Sequence, residues 1–172
     1  GAVREILKTP SHFQRVDDIV VADSIYAGLQ ADEPTRRADE HNMRDFRAFA
    51  RQAADGEKRF TISHSSQPTP YASTTETADY LLRSLEIARH FTNGPRGNGP
   101  EVNGPETNGP ETNGPEVNEL LQRSQASLGH FLVKGFEGET GQAHMQHLHH
   151  IDLFWNTIDR APTPAREHGQ GP

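Results

Sequence analysis

The sequence predicts an α/β protein, a partial parallel sheet of about three strands with flanking helices. The apolar runs Ile19-Val20-Val21-Ala22 and Phe131-Leu132-Val133 are too short for helices. They are continuous rather than alternating, the pattern of strands buried on both faces. Between the strand candidates, apolar residues recur at helical spacing. Strands separated by helices imply crossover connections and parallel pairing.

The chain opens on Gly1-Ala2-Val3-Arg4-Glu5-Ile6-Leu7, with apolar residues at 2, 3, 6 and 7, the spacing of a helix already under way, and Thr9-Pro10 interrupts it. The expectation is therefore the carboxyl part of a larger domain, whose N-terminal half is missing from these residues. Asp17 to Asp23 forms the first predicted strand, and Pro34 to Glu40 a polar loop. Met43, Phe46, Phe49, Ala50 and Ala53 mark a helix with one buried face, stopped by Asp55-Gly56. Lys58 to His64 is the second strand, and the polar loop Ser65 to Ala72 carries two prolines. Ser73 and Glu76 have the spacing of a capping box, followed by the stripe Ala78, Leu81, Leu82, Leu85, Ala88. Glu119 to Gln125 reads as a short helical turn, Gly129 to Phe136 as the third strand, and Gly135 to Gly141 as a glycine-rich turn. A final helix is expected from Ala143 to Ile158, with Met145, Leu148, Ile151, Trp155 and Ile158 on its inner face.

Two segments cannot contribute a core. From Asn93 to Asn118 an Asn-Gly-Pro-Glu-Thr/Val unit repeats, with copies opening at Asn98, Asn103, Asn108 and Asn113 and a degenerate one at Asn93. Each copy carries a proline, which lacks a backbone donor, and a glycine, which raises chain entropy, so an expanded, disordered surface insert is expected. Beyond Arg160 the tail has three prolines and no aromatic residue, and disorder is expected there too. The domain thus divides into residues 1–92, the insert 93–118, the last strand and helix within 119–159, and the tail 160–172.

Composition narrows the function classes. The 172 residues are 32% hydrophobic, with a mean hydropathy of -0.81. The 24 acidic residues outnumber the 17 basic ones, and a net charge of -7 without a basic cluster disfavours nucleic acid. No apolar run approaches the roughly 20 residues of a membrane span. The absence of Cys removes thiolate nucleophiles and Cys-ligated zinc but is compatible with any redox compartment, so localisation stays open.

In an open α/β sheet, ligands bind beyond the carboxyl ends of the strands. Asp23, His64 and the turn leading to His144 all fall there. By itself Asp23 reads either as an acid partner or as a loop-capping aspartate, and His144 either as a base or as a residue of a helix's first turn. The run of features is an apolar strand ending Asp23-Ser24-Ile25-Tyr26, a helix, a strand with a polar loop, a helix, and a last strand with the turn Gly135-Phe136-Glu137-Gly138 before His144. This run resembles the α/β-hydrolase family, over the chain without its repeat and tail. The resemblance implies the order nucleophile, acid, histidine, with Asp23 as the acid and His144 as the base. It implies that Gly1 to Leu7 is the helix after the nucleophile, so the serine would lie upstream, and no Gly-x-Ser-x-Gly occurs within the chain. The expected function is that of an esterase-type serine hydrolase acting on a small ester or acyl compound, inactive as these residues alone. Ser24, Tyr26 and His64 are candidates for substrate binding, and no cofactor is expected.

Two other classes stay open at this point. One is a noncatalytic binding or scaffold protein of hydrolase-like fold. The other is a histidine-rich metal module built on His144, His147, His149 and His150. That cluster lacks the His-Glu-x-x-His spacing of a zinc protease, so no metal ligand is assigned.

Overall fold

The computed structural model describes residues 1–31, 35–92 and 120–159, so the repeat and the tail lie outside the described residues. Helices α1 (Ala2–Leu7) and α2 (Pro10–Arg15) open the chain. Pro10 stands at the first position of α2, where its missing N–H has no helical partner to lose. There follow β1 (Asp18–Ala22), α3 (Glu40–Ala54), β2 (Arg59–His64) and α4 (Thr74–Ser84). Then come β3 (His90–Phe91), β4 (Gln122–Leu128), β5 (Phe131–Phe136), α5 (Gly141–His149) and α6 (Ile151–Asp159).

The sheet is larger than expected and mixed. Its order is β1-β2-β5-β4-β3. The three expected strands, β1, β2 and β5, pair in parallel, with Val20 opposite Thr61 and Thr61 opposite Leu132. The expectation of about three parallel strands is corrected at the other side, where β4 and β3 add antiparallel pairs. Within the segment 119–125, expected as a helical turn, Gln122 to Gln125 instead belong to β4. The inward residues of that strand are Ser124 and Ala126, so it has no hydrophobic alternation to read. Strand β3 has two residues, both exposed.

Alternation along β2 sorts the two faces of the sheet. Phe60 and Ile62 face α3 and α4, in a core with Phe46, Phe49, Leu81, Phe131 and Val133. Phe49 and Phe131 each pack 5.6 Å from the Phe60 ring. The alternate residues, Thr61 and Ser63, meet α6 and α5 through Thr157 and His147. A smaller cluster of Ala22, Phe136 and Phe154 fills that side.

The last helix is broken. His150 ends α5 with φ -109° and ψ 27°, and α6 begins at the next residue. The break re-aims the inner face. His147 and Phe154 are buried, whereas Met145, Leu148, Ile151 and Trp155 remain between 41% and 50% exposed. The side chain of Ile158 lies outside the described residues.

Candidate active site

Asp23 follows the last residue of β1, and its N–H still bonds to Ser63 O of β2 at 3.0 Å. Its φ of 45° lies in the left-handed region, a sharp exit that ordinary L residues seldom adopt and that clusters at functional positions. The side chain is 1% exposed. Burying a carboxylate is costly unless its lone pairs are met, and here four donors meet them. Oδ1 accepts from the Ser65 N–H at 2.8 Å and from the Thr74 hydroxyl. Oδ2 accepts from the Ser65 hydroxyl at 2.5 Å and from His144 Nδ1 at 2.9 Å. Burial favours the neutral acid, but the hydrogen bonds from Ser65, Thr74 and His144 outweigh it and hold the carboxyl below its ordinary value.

Local sequence explains why these donors converge. Ser65 is the first residue past β2, the strand paired in parallel with β1, so the two strand ends lie side by side. Thr74 is the first residue of α4, set by the capping box of Ser73 and Glu76, and the positive end of that helix adds to the anion's stabilisation. His144 lies in the first turn of α5, which Thr140 caps through the Ala143 N–H at 3.2 Å.

An ionised carboxylate only accepts, so the proton of the Asp23–His144 bond sits on Nδ1. Nε2 is thereby left as a lone-pair nitrogen, and it has no hydrogen-bond partner among the described residues. The His144 side chain is 24% exposed, so this nitrogen belongs to an accessible rim.

Ser24 is exposed and Tyr26 half-buried. Both line a cleft of about 260 Å³, together with Ala2, Val3, Arg4 and Phe46. The Tyr26 ring lies 6.4 Å from the His144 ring and meets Tyr71 edge-on at 5.2 Å. Its hydroxyl bonds to Asp23 O at 3.2 Å. Burial, with the Asp23 charge, raises its pKa to about 12, so it is a neutral wall.

His64 is placed differently from the other candidates. It is 5% exposed, and both ring nitrogens are occupied, Nδ1 by Thr75 Oγ1 at 2.9 Å and Nε2 by Arg89 at 2.5 Å. Burial, and then the Arg89 charge, lower its pKa to about 4. It lies beneath the rim rather than on it. His147 is fully buried, bonded through Nδ1 to Ser63 Oγ at 2.8 Å and packed between Phe136 and Phe154. Among the described residues, no three His, Asp or Glu side chains are grouped to hold a metal ion.

Sequence reasoning missed Ser65, Thr74 and Tyr71. The first two were within reach, because the end of β2 and the capping box fix their places beside Asp23. Tyr71 gave no signal, since its contact with Tyr26 spans two loops.

Comparisons with protein-family models, with curated proteins and with solved structures found no match to this chain. Among the described residues, no helix is long and apolar enough to cross a membrane.

Proposed function

We propose that Asp23 and His144 are the acid and base of a serine-hydrolase-type site that cleaves a small ester or related acyl compound. The nucleophilic hydroxyl would come from outside these 172 residues. The observation that supports this reading is the 2.9 Å bond from His144 Nδ1 to a saturated, buried carboxylate 121 residues away in sequence. A loop-capping aspartate needs only the Ser65 and Thr74 donors. The additional bond to a partly exposed imidazole is what general-base chemistry requires, because it sets the tautomer and leaves Nε2 basic.

On this reading Nε2 takes the proton of the hydroxyl as its oxygen adds to the acyl carbon. Asp23 stabilises the imidazolium so formed without itself becoming protonated. His144 then returns the proton to the departing alkoxide, and water repeats the sequence to release the acid. Ser65 and Ser63 do not fit as the nucleophile. Both are buried, the first donating to Asp23 and the second paired with His147. Ser24 and Tyr26 would form one wall of the substrate cleft.

The test uses a polypeptide that carries these residues together with the nucleophile segment. His144→Ala should lower kcat on p-nitrophenyl acetate by about 10⁴-fold or more and abolish labelling by a fluorophosphonate. Unchanged hydrolysis and labelling would overturn the assignment.

A further inference from the structure

A continuous polar chain runs from the far side of β5 to Asp23, and its direction is fixed by chemistry. Arginine has donors and no acceptors, so Arg89, which also bonds to Asp79 and to Ser124 Oγ at 3.0 Å, must donate to His64 Nε2. A neutral imidazole with Nε2 accepting carries its proton on Nδ1, and it donates that proton to Thr75 Oγ1 at 2.9 Å. The Thr75 hydroxyl then donates to the Ser65 carbonyl at 2.6 Å. Ser65 in turn gives its N–H and hydroxyl to Asp23, which accepts from His144. Every link has a single permitted direction. Gly135 makes the packing possible, because a Cβ there would lie 2.8 Å from His64 Nε2.

We infer that His64 and Arg89 are positioning residues for the Asp23–His144 pair, locking Ser65 and the first turn of α4 so that Asp23 Oδ2 meets His144 Nδ1. This deepens the hydrolase reading and rests on it for its functional meaning, but the geometry it asserts is independent of turnover. Without the lock, Ser65 keeps its Asp23 bonds and a long 3.5 Å bond from the Gln67 N–H but loses the donor on its carbonyl, and the carboxylate has more than one way to meet its donors. Thr74 and Thr75 are consecutive in α4, so the same lock seats both the Asp23 donor and the Ser65 clamp.

The test is the ¹⁵N tautomer signature of the histidines at neutral pH, with no substrate present. His64 and His144 should both show the Nδ1–H form in the unaltered chain. His64 in the Nε2–H form would overturn the proposal outright, and this arm needs no variant. Thr75→Val, which keeps the side-chain volume and removes the hydroxyl, should cut the Nδ1–H population of His144 by about half or more, toward the unconstrained mixture. Thr75→Ser should restore it. A His144 signature that is unchanged in a folded Thr75→Val protein would overturn the role assigned to the chain of bonds. Absence of esterase activity in the complete polypeptide would remove the hydrolase reading while leaving these tautomers as the separate measure of positioning.

Discussion

Four donors on one carboxylate make Asp23 the residue where structure and chemistry are hardest to separate. Asp23→Asn presents an amide to donors that need an acceptor. We expect a loss of about 1–3 kcal/mol in urea unfolding from the unsatisfied contacts, and a drop in kcat of about 10⁴ from the wrong imidazole tautomer. A variant with wild-type kcat would show that Asp23 serves only the fold. Because its folded pKa is depressed below the ordinary 3.8, the stability Asp23 contributes is present above that pH and is lost as pH falls through the folded value. His64 acts over a higher window. Its folded pKa of about 4 lies below the ordinary 6.5, so the unfolded chain binds a proton that the native state refuses. Stability should be complete above pH 6.5 and fall by about 1.4 kcal/mol per pH unit toward pH 4. Burial lowers the pKa of His147 as well, which adds in the same direction. Urea midpoints at neutral and mildly acidic pH check this, and a flat profile between them would contradict the buried neutral His64.

At the scale of elements, two glycines show what the strands demand. Gly129 turns β4 into β5 with a φ of 54°, and a Cβ there would run into the Ala54 carbonyl at the end of α3. Gly135 lets β5 pass beside His64 and Ser124. Gly135→Ala should cost about 1–3 kcal/mol by overpacking, read as a lower denaturation midpoint, and an unchanged midpoint would mean that the His64 packing is loose. The helices were the most legible elements. The stripe from Met43 to Ala53 and the capping box of Ser73 and Glu76 are local patterns, and α3 and α4 fall where those patterns put them. Strand β4 was not legible, because its inward residues are small: Ser124 accepts from Arg89 and lies against Gly135 of β5, and Ala126 adds only a methyl to the core. Nor was the break at His150, where no glycine or proline marks the stop.

For the whole molecule, the connection after β3 is the feature most open to change. Thr92 is tied to Arg123 O and Gln122 O at 2.9 Å each, so the described residues on either side of the repeat lie against one another. A short connection can join such neighbours. Removing Asn98 to Val117 should leave the melting temperature unchanged or slightly higher, since a shorter loop lowers closure entropy by about 1 kcal/mol. A marked fall in melting temperature would show that the repeat packs on the domain. The sequence by itself determined the α/β class, the three parallel strands, the helices α3 and α4, and the candidacy of Asp23 and His144, because periodicity, caps and strand ends are properties of neighbours along the chain. Only the tertiary structure decided that the acid and imidazole meet at 2.9 Å, that His64 is buried under Arg89 rather than open to a ligand, and that two antiparallel strands extend the sheet. Those facts depend on contacts between residues far apart in the chain, and a buried polar group is stable only where distant partners supply its hydrogen bonds.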